Sequence, residues 1–142
     1  MLALIRITGL IGMKQGAEET FSRLRMRKKY TCVLVNENPE TLGMLQRIRN
    51  FVAYGNIDEK TLADLIKARG KKIGNVKAKI SDAEAARIAK ELLAGKKLEE
   101  LGIKPWFGLH PARGGIETKK HYPKGVMGNH GDKINELIRR ML

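Results

Sequence analysis

The sequence predicts an α+β fold, and three observations support this prediction. Segments with the apolar pattern of strands alternate with segments that repeat apolar residues every three or four positions, as amphipathic helices do. They follow one another as strand, helix, strand, helix, strand over residues 1–57. With 42% hydrophobic residues, the 142-residue chain can bury a core. We therefore expect residues 1–57 to form a unit in which two helices cover the apolar face of a three-stranded sheet.

The first three elements of this unit differ in the spacing of their apolar residues. Met1–Thr8 is nearly continuous in apolar residues, which predicts a strand in the centre of the sheet. After a turn at Gly9–Gly12, Gln15–Met26 has the spacing of a helix whose buried face contains Ala17, Phe21 and Leu24. Tyr30–Val35 is β-branched and apolar, and we expect it to form the second strand.

The second helix has a clear start signal at Asn38-Pro39, an N-cap residue followed by proline at the first helical position. It is expected to run to about Phe51 with a buried stripe of Leu42, Leu45 and Ile48. Val52–Ile57 follows as a short third strand. Because Gly55 would weaken a central strand, this pattern predicts an edge strand or a bulge.

Two further helices are predicted after residue 57. Asp58 caps the first, which ends at Gly70 and buries Leu62, Leu65 and Ile66. A lysine-bearing connection, Lys71–Ile80, leads to the second. Ser81 and Glu84 form a capping box for that helix, which runs to about Ala94. Its buried face is expected to contain Ala85, Ile88, Ala89 and Leu92.

The C-terminal part contains two short elements and a long irregular segment. Pro105–Leu109 is predicted to be extended, and Asp132–Met141 to be a helix. The inward face of that helix is expected to contain Ile134, Leu137, Ile138 and Met141. Between these elements, Pro111–Asn129, which we call the tail loop, has neither helical nor strand periodicity. So long an irregular segment is uncommon in a globular protein without a function.

The charge of the chain indicates a polyanionic partner. Lysine and arginine number 28 against 15 acidic residues, for a net charge of +13 and a pI near 10.1. Nucleic acid is the commonest reason for such an excess. A membrane-surface protein usually collects its cations on one amphipathic helix, whereas these cations are spread along the chain. No apolar run approaches the roughly 20 residues that span a bilayer.

Candidate phosphate-binding residues occur in three groups. The first lies at the end of the first helix, where five cations in seven residues exceed what a helix dipole requires. The second flanks the later helix ends. The third lies in the tail loop, whose cations face one acid, Glu117, and whose aromatic rings could stack on bases. The candidates are Arg23, Arg25, Arg27, Lys28 and Lys29; Arg47, Arg49, Arg69, Lys71 and Lys72; and Arg113, Lys119, Lys120, His121, Tyr122 and Lys124.

Two questions about the C-terminal part stay open at the level of the sequence. The tail loop is either an RNA-binding segment, mobile in the free protein and ordered on RNA, or a surface loop with solvated charges. Its few large apolar residues offer little burial to offset the loss of backbone entropy on ordering. Trp106 and Phe107 either stack on bases or, as we favour, belong to the core and anchor the start of the loop.

No pattern in the sequence indicates catalysis, a metal ion or a cofactor. Gly70–Gly74 lacks the spacing of a phosphate-binding loop. His110, His121 and His130 match no zinc-ligand spacing. Cys32, the single cysteine, suits a reducing cytosol and is expected to be a small buried residue. We expect no enzyme activity, no cofactor, no metal and no small-molecule substrate.

Four stretches carry a resemblance to a known family: LALIRITG, NPETLGMLQRIRNFVAYGNI, TLADLIKARGKKIGN and LHPARGGIETKKHYPKGVMGNHGDKINELIRRML. The most specific parts are the run Arg69–Asn75 and the tail motif HPARGG…GNHGDKINELIRRM. Over nearly its whole length, the chain resembles archaeal and eukaryotic members of a large-subunit ribosomal protein family. That family is numbered thirty in archaea and bacteria and seven in eukaryotes.

The resemblance implies a fold, a role and a set of partners. The fold implied is a mostly antiparallel three-stranded sheet with two helices on one face, somewhat like a ferredoxin fold. Residues 58–142 look like the extension of archaeal and eukaryotic members, packed on the core. Since the chain begins directly in its first strand, without the basic arm of eukaryotic members, the archaeal type is favoured. The implied role is to bind ribosomal RNA, beside neighbouring ribosomal proteins, in the large subunit of cytoplasmic ribosomes.

Three other readings compete with this one. A DNA-binding helix-turn-helix would need a turn of three or four residues, and the connection at residues 70–80 is far longer. A small RNA-acting enzyme would need paired titratable groups in a cleft, and the sequence nominates no such pair. A membrane-surface protein is disfavoured by the dispersed charge.

Overall fold

A computed structural model describes residues 1–74 and 79–142, and within these ranges the protein has five α-helices and a mixed five-stranded sheet. A short 3-10 turn, Gly131–Lys133, precedes the last helix. The elements in chain order are β1 (Leu2–Arg6), α1 (Gln15–Arg23), β2 (Thr31–Val35), α2 (Pro39–Ile48), β3 (Val52–Asn56), α3 (Glu59–Arg69), α4 (Asp82–Leu93), β4 (Phe107–Gly108), β5 (Gly128–Asn129) and α5 (Ile134–Met141).

The strand order of the sheet is β4-β2-β1-β3-β5. β1 pairs antiparallel with both neighbours, so that Leu2 lies opposite Val35 on one side and Asn56 on the other. β4 adds antiparallel to β2, and β5 adds parallel to β3. The α+β class and the central position of β1 are confirmed, whereas the predicted number of three strands is wrong. The two outer strands have two residues each, too few to show a period in the sequence.

Helices cover both faces of the sheet. Successive side chains of a strand point to opposite faces. Leu2 and Leu4 pack in an apolar cluster with residues of α1 and α2, whereas Ala3 and Ile5 pack in a second cluster with residues of α3, α4 and α5. β1 is therefore buried along its whole length, which is the physical reason for its nearly continuous apolar sequence.

The first helix is shorter than its sequence predicts. α1 ends at Arg23 rather than at Met26, and Arg25 adopts the left-handed conformation, with φ of 59°. The Met26 N–H donates to the Phe21 carbonyl at 2.9 Å, closing the chain into a turn. The cations that follow Arg23 thus lie on a turn between α1 and β2 and not on a helix.

The predicted buried stripe of α2 is wrong at one position. Leu45 and Ile48 are buried, but Leu42 is 41% exposed, and Thr41 is buried in its place. α2 begins with proline as predicted, although the side chain of Asn38 makes no capping hydrogen bond. The helix starts one residue after Asn38, so the predicted start is confirmed. The buried face of the helix includes Thr41 in place of the predicted Leu42.

Gly55 has a different role from the one predicted. β3 lies between β1 and β5, so it is not an edge strand. A Cβ atom built at Gly55 would lie 2.1 Å from the Gly131 carbonyl oxygen. Because no side-chain carbon can approach a carbonyl so closely, glycine is needed here for the backbone before α5 to pack on β3.

The helices after residue 57 agree with the sequence. The predicted buried faces of α3, α4 and α5 are all confirmed. The Ser81 hydroxyl accepts from the Glu84 N–H at 3.3 Å, as a capping box requires. Asp58 makes no side-chain cap, and its own N–H donates to Asn135 Oδ1 at 3.0 Å. Of the predicted connection between these helices, residues 75–78 lie outside the described residues.

Candidate nucleic-acid interface

The turn between α1 and β2 presents its cations to solvent. We call Arg23–Lys29 the basic turn. Its five predicted phosphate-binding side chains, Arg23, Arg25, Arg27, Lys28 and Lys29, are all exposed. Its apolar residues Leu24 and Met26 are buried in the cluster between the sheet and helices α1 and α2. The apolar side chains thus fix the segment to the core while the charged ones point outward.

A buried arginine that the sequence did not single out holds the basic turn in place. Arg6, at the end of β1, is 1% exposed. Its guanidinium donates to the carbonyls of Met26 at 2.6 Å, Thr8 at 3.0 Å and Gly9 at 3.1 Å. It also lies 4.3 Å from the centroid of the Phe21 ring. Burial lowers the pKa of Arg6, an effect that Glu18 opposes. The sequence feature that could have indicated this role is an arginine in an otherwise apolar strand.

A pocket of about 390 Å³ opens beside the basic turn. Its lining residues are Arg25, Arg27, Lys28, Thr31, Pro105 and Trp106. Pairing of β4 with β2 brings Trp106 to this position, since Gly108 lies opposite Thr31. The Nζ of Lys71 lies 5.3 Å from the Trp106 ring centroid. Cations from two separate stretches of the sequence therefore lie near one indole.

The second predicted cluster is largely engaged within the protein. Lys72 forms an ion pair with Glu84 at 2.8 Å, and this hydrogen bond lowers the pKa of the Glu84 carboxyl. Arg69 donates to the main-chain oxygen of Leu142 at 3.0 Å.

In the basic turn, Arg25 forms an ion pair with Glu99. Exposed pairs of this kind contribute little to stability and can exchange for other anions.

Arg47 and Arg49 occupy the C-terminal end of α2, on the side of the sheet that carries the basic turn. Arg47 is in the last turn of the helix, and Arg49 is the residue that ends it. Both are exposed. Their position also complements the negative end of the helix dipole, so a local electrostatic role accounts for part of their placement.

The tail loop is tied to the protein more firmly than its sequence predicts. Val126 and Met127 are buried in the cluster beneath α3, α4 and α5, which contradicts the expectation of little burial. The Val126 N–H donates to the Glu117 carbonyl at 3.0 Å, and the Tyr122 N–H to the Met127 carbonyl at 2.9 Å. The mobility of this loop in the free protein stays a prediction, and these contacts argue against it.

A second arginine braces the tail loop from α5. Arg140 Nε donates to the Arg113 carbonyl at 2.9 Å, and the same guanidinium donates to the Gly115 carbonyl. Gly114 and Gly115 both have positive φ, of 81° and 76°, as the tight path around this side chain requires. Unlike Arg6, Arg140 is exposed. The sequence patterns did not single out Arg140.

An open cavity of about 400 Å³ lies between the tail loop and α5, and Lys124 is the one predicted tail-loop cation among its described lining residues. Tyr122, 39% exposed, stacks on the buried His130 with ring centroids 4.4 Å apart. His130 Nε2 lies 2.7 Å from the Val126 carbonyl, so this nitrogen donates. Lys133 also lines the cavity and was missed by the sequence patterns. The predicted residues that lie exposed on this loop are Arg113, Lys119, Lys120, His121, Tyr122 and Lys124.

Two more lysines join the surface near the basic turn. Lys96 and Lys97, in the segment after α4, line a cleft of about 330 Å³ together with Arg23 and Arg25. Lys96 also forms an ion pair with Glu91 at 3.0 Å. Adjacent lysines after a helix are common in any sequence, so only their tertiary position reveals this grouping.

Other candidate chemistry is sparse. Cys32 is buried, as predicted, and desolvation raises the pKa of its thiol to about 12. Across residues 1–74 and 79–142, no three His, Cys, Asp or Glu side chains lie close enough to hold a metal ion. Over the same ranges, no helix has the length and apolar content needed to cross a membrane.

Comparison with known proteins identifies the family. Residues 2–52 match the model of the family described as ribosomal protein L30p/L7e. The protein called large ribosomal subunit protein uL30 of Archaeoglobus fulgidus is 40% identical, over 99% of both chains. The proteins of that name from Desulfurococcus amylolyticus and Methanococcus vannielii are 38% and 33% identical, over at least 98% of each chain. At this identity over nearly the full length, the chain belongs to the L30p/L7e family of ribosomal proteins.

Proposed function

We propose that this protein is a structural component of the large ribosomal subunit and that it binds ribosomal RNA through the basic turn and the tail loop. Relatives named as large-subunit proteins over nearly the full length support the role. The observation that carries the assignment of surfaces is the separation of charge: buried apolar residues anchor each segment while its lysines and arginines face solvent.

The proposed mechanism is electrostatic. The cations of each surface neutralise RNA phosphates and release the counterions condensed on them, which drives binding and makes it sensitive to salt. Arg27 and Arg113 are suited to bidentate phosphate contacts, while Lys28 and Lys119 act as point charges. In the part of the chain that the structure describes, no carboxylate forms an ion pair with any of these four side chains.

We also propose the division of the chain into a core at residues 1–57 and an extension at residues 58–142. The family model matches residues 2–52, within the proposed core, which supports the boundary. The β2-β1-β3 sheet and helices α1 and α2 form the ferredoxin-like part, and the extension adds one strand to each edge of it. The core carries the basic turn and the extension carries the tail loop, so each unit contributes cations to the proposed RNA-binding surfaces.

Neighbouring ribosomal proteins are further proposed partners. The turn between β1 and α1 exposes Leu10 and Ile11, with Ile11 fully exposed. Adjacent exposed apolar side chains of this size are typical of contacts with another macromolecule. This turn is a part of the surface suited to a protein neighbour in the cytoplasmic ribosome.

The competing readings receive less support. α3 ends at Arg69 and α4 begins at Asp82, so the two helices are not joined by the short turn of a DNA-binding helix-turn-helix. For an RNA-acting enzyme, none of the three cavities brings a Ser, Thr or Cys side chain together with a His, Asp or Glu side chain among the described lining residues. The proposed role is structural and not catalytic.

Sedimentation of cell extract through a sucrose gradient tests the assignment. We expect the protein to migrate with large ribosomal subunits at moderate salt and to be released from them when salt is raised. Migration at the top of the gradient at moderate salt would contradict the ribosomal role. Migration with DNA, abolished by nuclease specific for DNA, would support the helix-turn-helix reading instead.

A further inference from the structure

The pocket beside the basic turn combines two features that serve different parts of a nucleotide. Arg27 and Lys28 provide positive charge, and Trp106 provides an aromatic surface. Phosphate binding alone requires cations and gains nothing from an indole. Aromatic side chains are the platforms on which proteins stack unpaired RNA bases.

The strand geometry explains why Trp106 faces the pocket. Trp106 directly precedes β4, whose first residue, Phe107, is fully buried. Neighbouring side chains along an extended chain point to opposite faces of the sheet. Phe107 accordingly packs with the residues of α3, α4 and α5, whereas Trp106 packs at the margin of the cluster formed with α1 and α2. The indole is half-buried, so it is held by the core while it also lines the pocket.

The charges around the indole favour an anionic ligand. The Nζ of Lys71 lies over the Trp106 ring, 5.3 Å from its centroid. Arg25 is paired with Glu99, but among the described residues no carboxylate pairs with Arg27 or Lys28. The volume of about 390 Å³ lies within the range of pockets that hold small organic groups.

We propose that this pocket binds one unpaired RNA nucleotide, with its base stacked on Trp106 and its phosphate contacted by Arg27 and Lys28. The inference rests on the proposed RNA-binding function and adds the form of RNA that this surface takes. A base inside a duplex is stacked and paired, and an A-form major groove is too narrow for side chains to read. The ligand is therefore a base turned out of a loop, bulge or strand end.

The single tryptophan of the chain makes a direct test possible, because tryptophan fluorescence then reports on Trp106 alone. The full-length protein is titrated with a short oligouridylate and with an abasic oligomer that carries the same number of phosphates. We expect oligouridylate to quench the fluorescence and to bind about 5- to 100-fold more tightly than the abasic oligomer. The abasic oligomer should bind through its phosphates without quenching.

Substitutions separate stacking from packing. Trp106→Leu removes the aromatic ring but keeps an apolar side chain against the core, and it should abolish most of the preference for oligouridylate. Because neither Trp106 variant contains a tryptophan, their affinities are measured by anisotropy of labelled oligomers. Trp106→Phe retains a ring and should preserve much of it. Thermal unfolding of both variants shows that each is folded, so that a lost preference reflects the ligand contact.

The outcomes distinguish this inference from the proposed function. Equal affinity for both oligomers without quenching, while large-subunit RNA still binds with strong salt dependence, would overturn the pocket assignment alone. An acidic peptide that quenches and binds as tightly as oligouridylate would overturn it as well. Failure to bind either oligomer and also large-subunit RNA would overturn both.

Discussion

The basic turn and the tail loop are both irregular, cationic and braced by one arginine, but the two braces lie in different surroundings. Arg6 is buried and donates to the Met26 carbonyl of the basic turn and to the Thr8 and Gly9 carbonyls that follow β1. Arg140 is exposed and donates to two carbonyls of the tail loop. Water can replace the hydrogen bonds of Arg140, whereas a lost Arg6 would leave the buried Met26 carbonyl without a partner.

The basic turn is therefore held by a buried arginine, whereas the tail loop is braced by an exposed one. The shape of the basic turn depends on the same packing and hydrogen bonds that stabilise the protein. The tail loop is anchored by the buried Val126 and Met127, but its path at Arg113 and Gly115 is held by hydrogen bonds from the exposed Arg140, which contribute little to global stability. We therefore expect mutations to affect folding and RNA binding together at the basic turn, and to affect them separately at the tail loop.

The largest effect is expected in the core beneath the basic turn. Leu45 is 2% exposed and belongs to the apolar cluster that also holds Leu24 and Met26. Leu45→Ala should lower the free energy of unfolding by about 2–5 kcal/mol, measured with denaturant. Leu42→Ala, on the exposed side of the same helix, is the matched control and should cost well under about 1 kcal/mol. Equal effects at the two positions would mean that the facing of α2 is wrong.

Removal of the buried brace should have the next largest effect. Arg6→Met fills a similar volume but leaves the buried Met26 carbonyl without its donor, and it should cost about 3 kcal/mol of unfolding free energy. Arg140→Ala serves as the comparison, because its partners are solvated. If Arg6→Met lowered the unfolding free energy no more than Arg140→Ala does, the claim that the buried arginine contributes more to stability than the exposed one would be contradicted.

The cations of the tail loop should affect binding and not folding. The combined substitutions Arg113→Ala, Lys119→Ala and Lys120→Ala should weaken binding to large-subunit RNA, because phosphate contacts are removed. The unfolding free energy should change by no more than about 0.5 kcal/mol per site. Binding assays and thermal unfolding on the same preparation measure both quantities. Unchanged RNA affinity would exclude this loop from the interface.

The smallest effect on global stability is expected for Arg140→Ala. The change should stay within about 0.5 kcal/mol, while local opening of the tail loop becomes easier. Hydrogen exchange on the free protein should then be faster at Tyr122 and Val126, whose N–H groups donate inside the loop. In the unsubstituted protein these two amides should be protected. Rapid exchange there without RNA would restore the prediction, made from the sequence, of a loop that orders only on binding.

Periodicity predicted the helices and the three long strands because each of those elements repeats its apolar residues along several turns or alternations. α4 is the clearest case: its buried face and its Ser81 cap were both read correctly. β4 and β5 are too short to carry a period, and they form only because the tertiary fold brings them to the edges of the sheet. The prediction that Leu42 is buried was wrong because apolar residues are also tolerated on protein surfaces.

The sequence identified the cations but not their partners. Arg25, Arg69 and Lys72 looked like free cations, and the structure pairs them with groups distant in sequence. The same limit hid Arg6, whose role depends on a carbonyl twenty positions away. It also hid the pocket at Trp106, because no local pattern shows that β4 lies beside the basic turn.

The salt dependence of binding to large-subunit RNA tests the central claim most directly. With about five to eight phosphate contacts over the two surfaces, the log of the association constant plotted against the log of salt concentration should have a slope of roughly −4 to −7. Alanine at the three tail-loop cations should make this slope shallower by about 2–3, and so should alanine at Arg27, Lys28 and Lys29. A nearly flat dependence for the unsubstituted protein would contradict the electrostatic account.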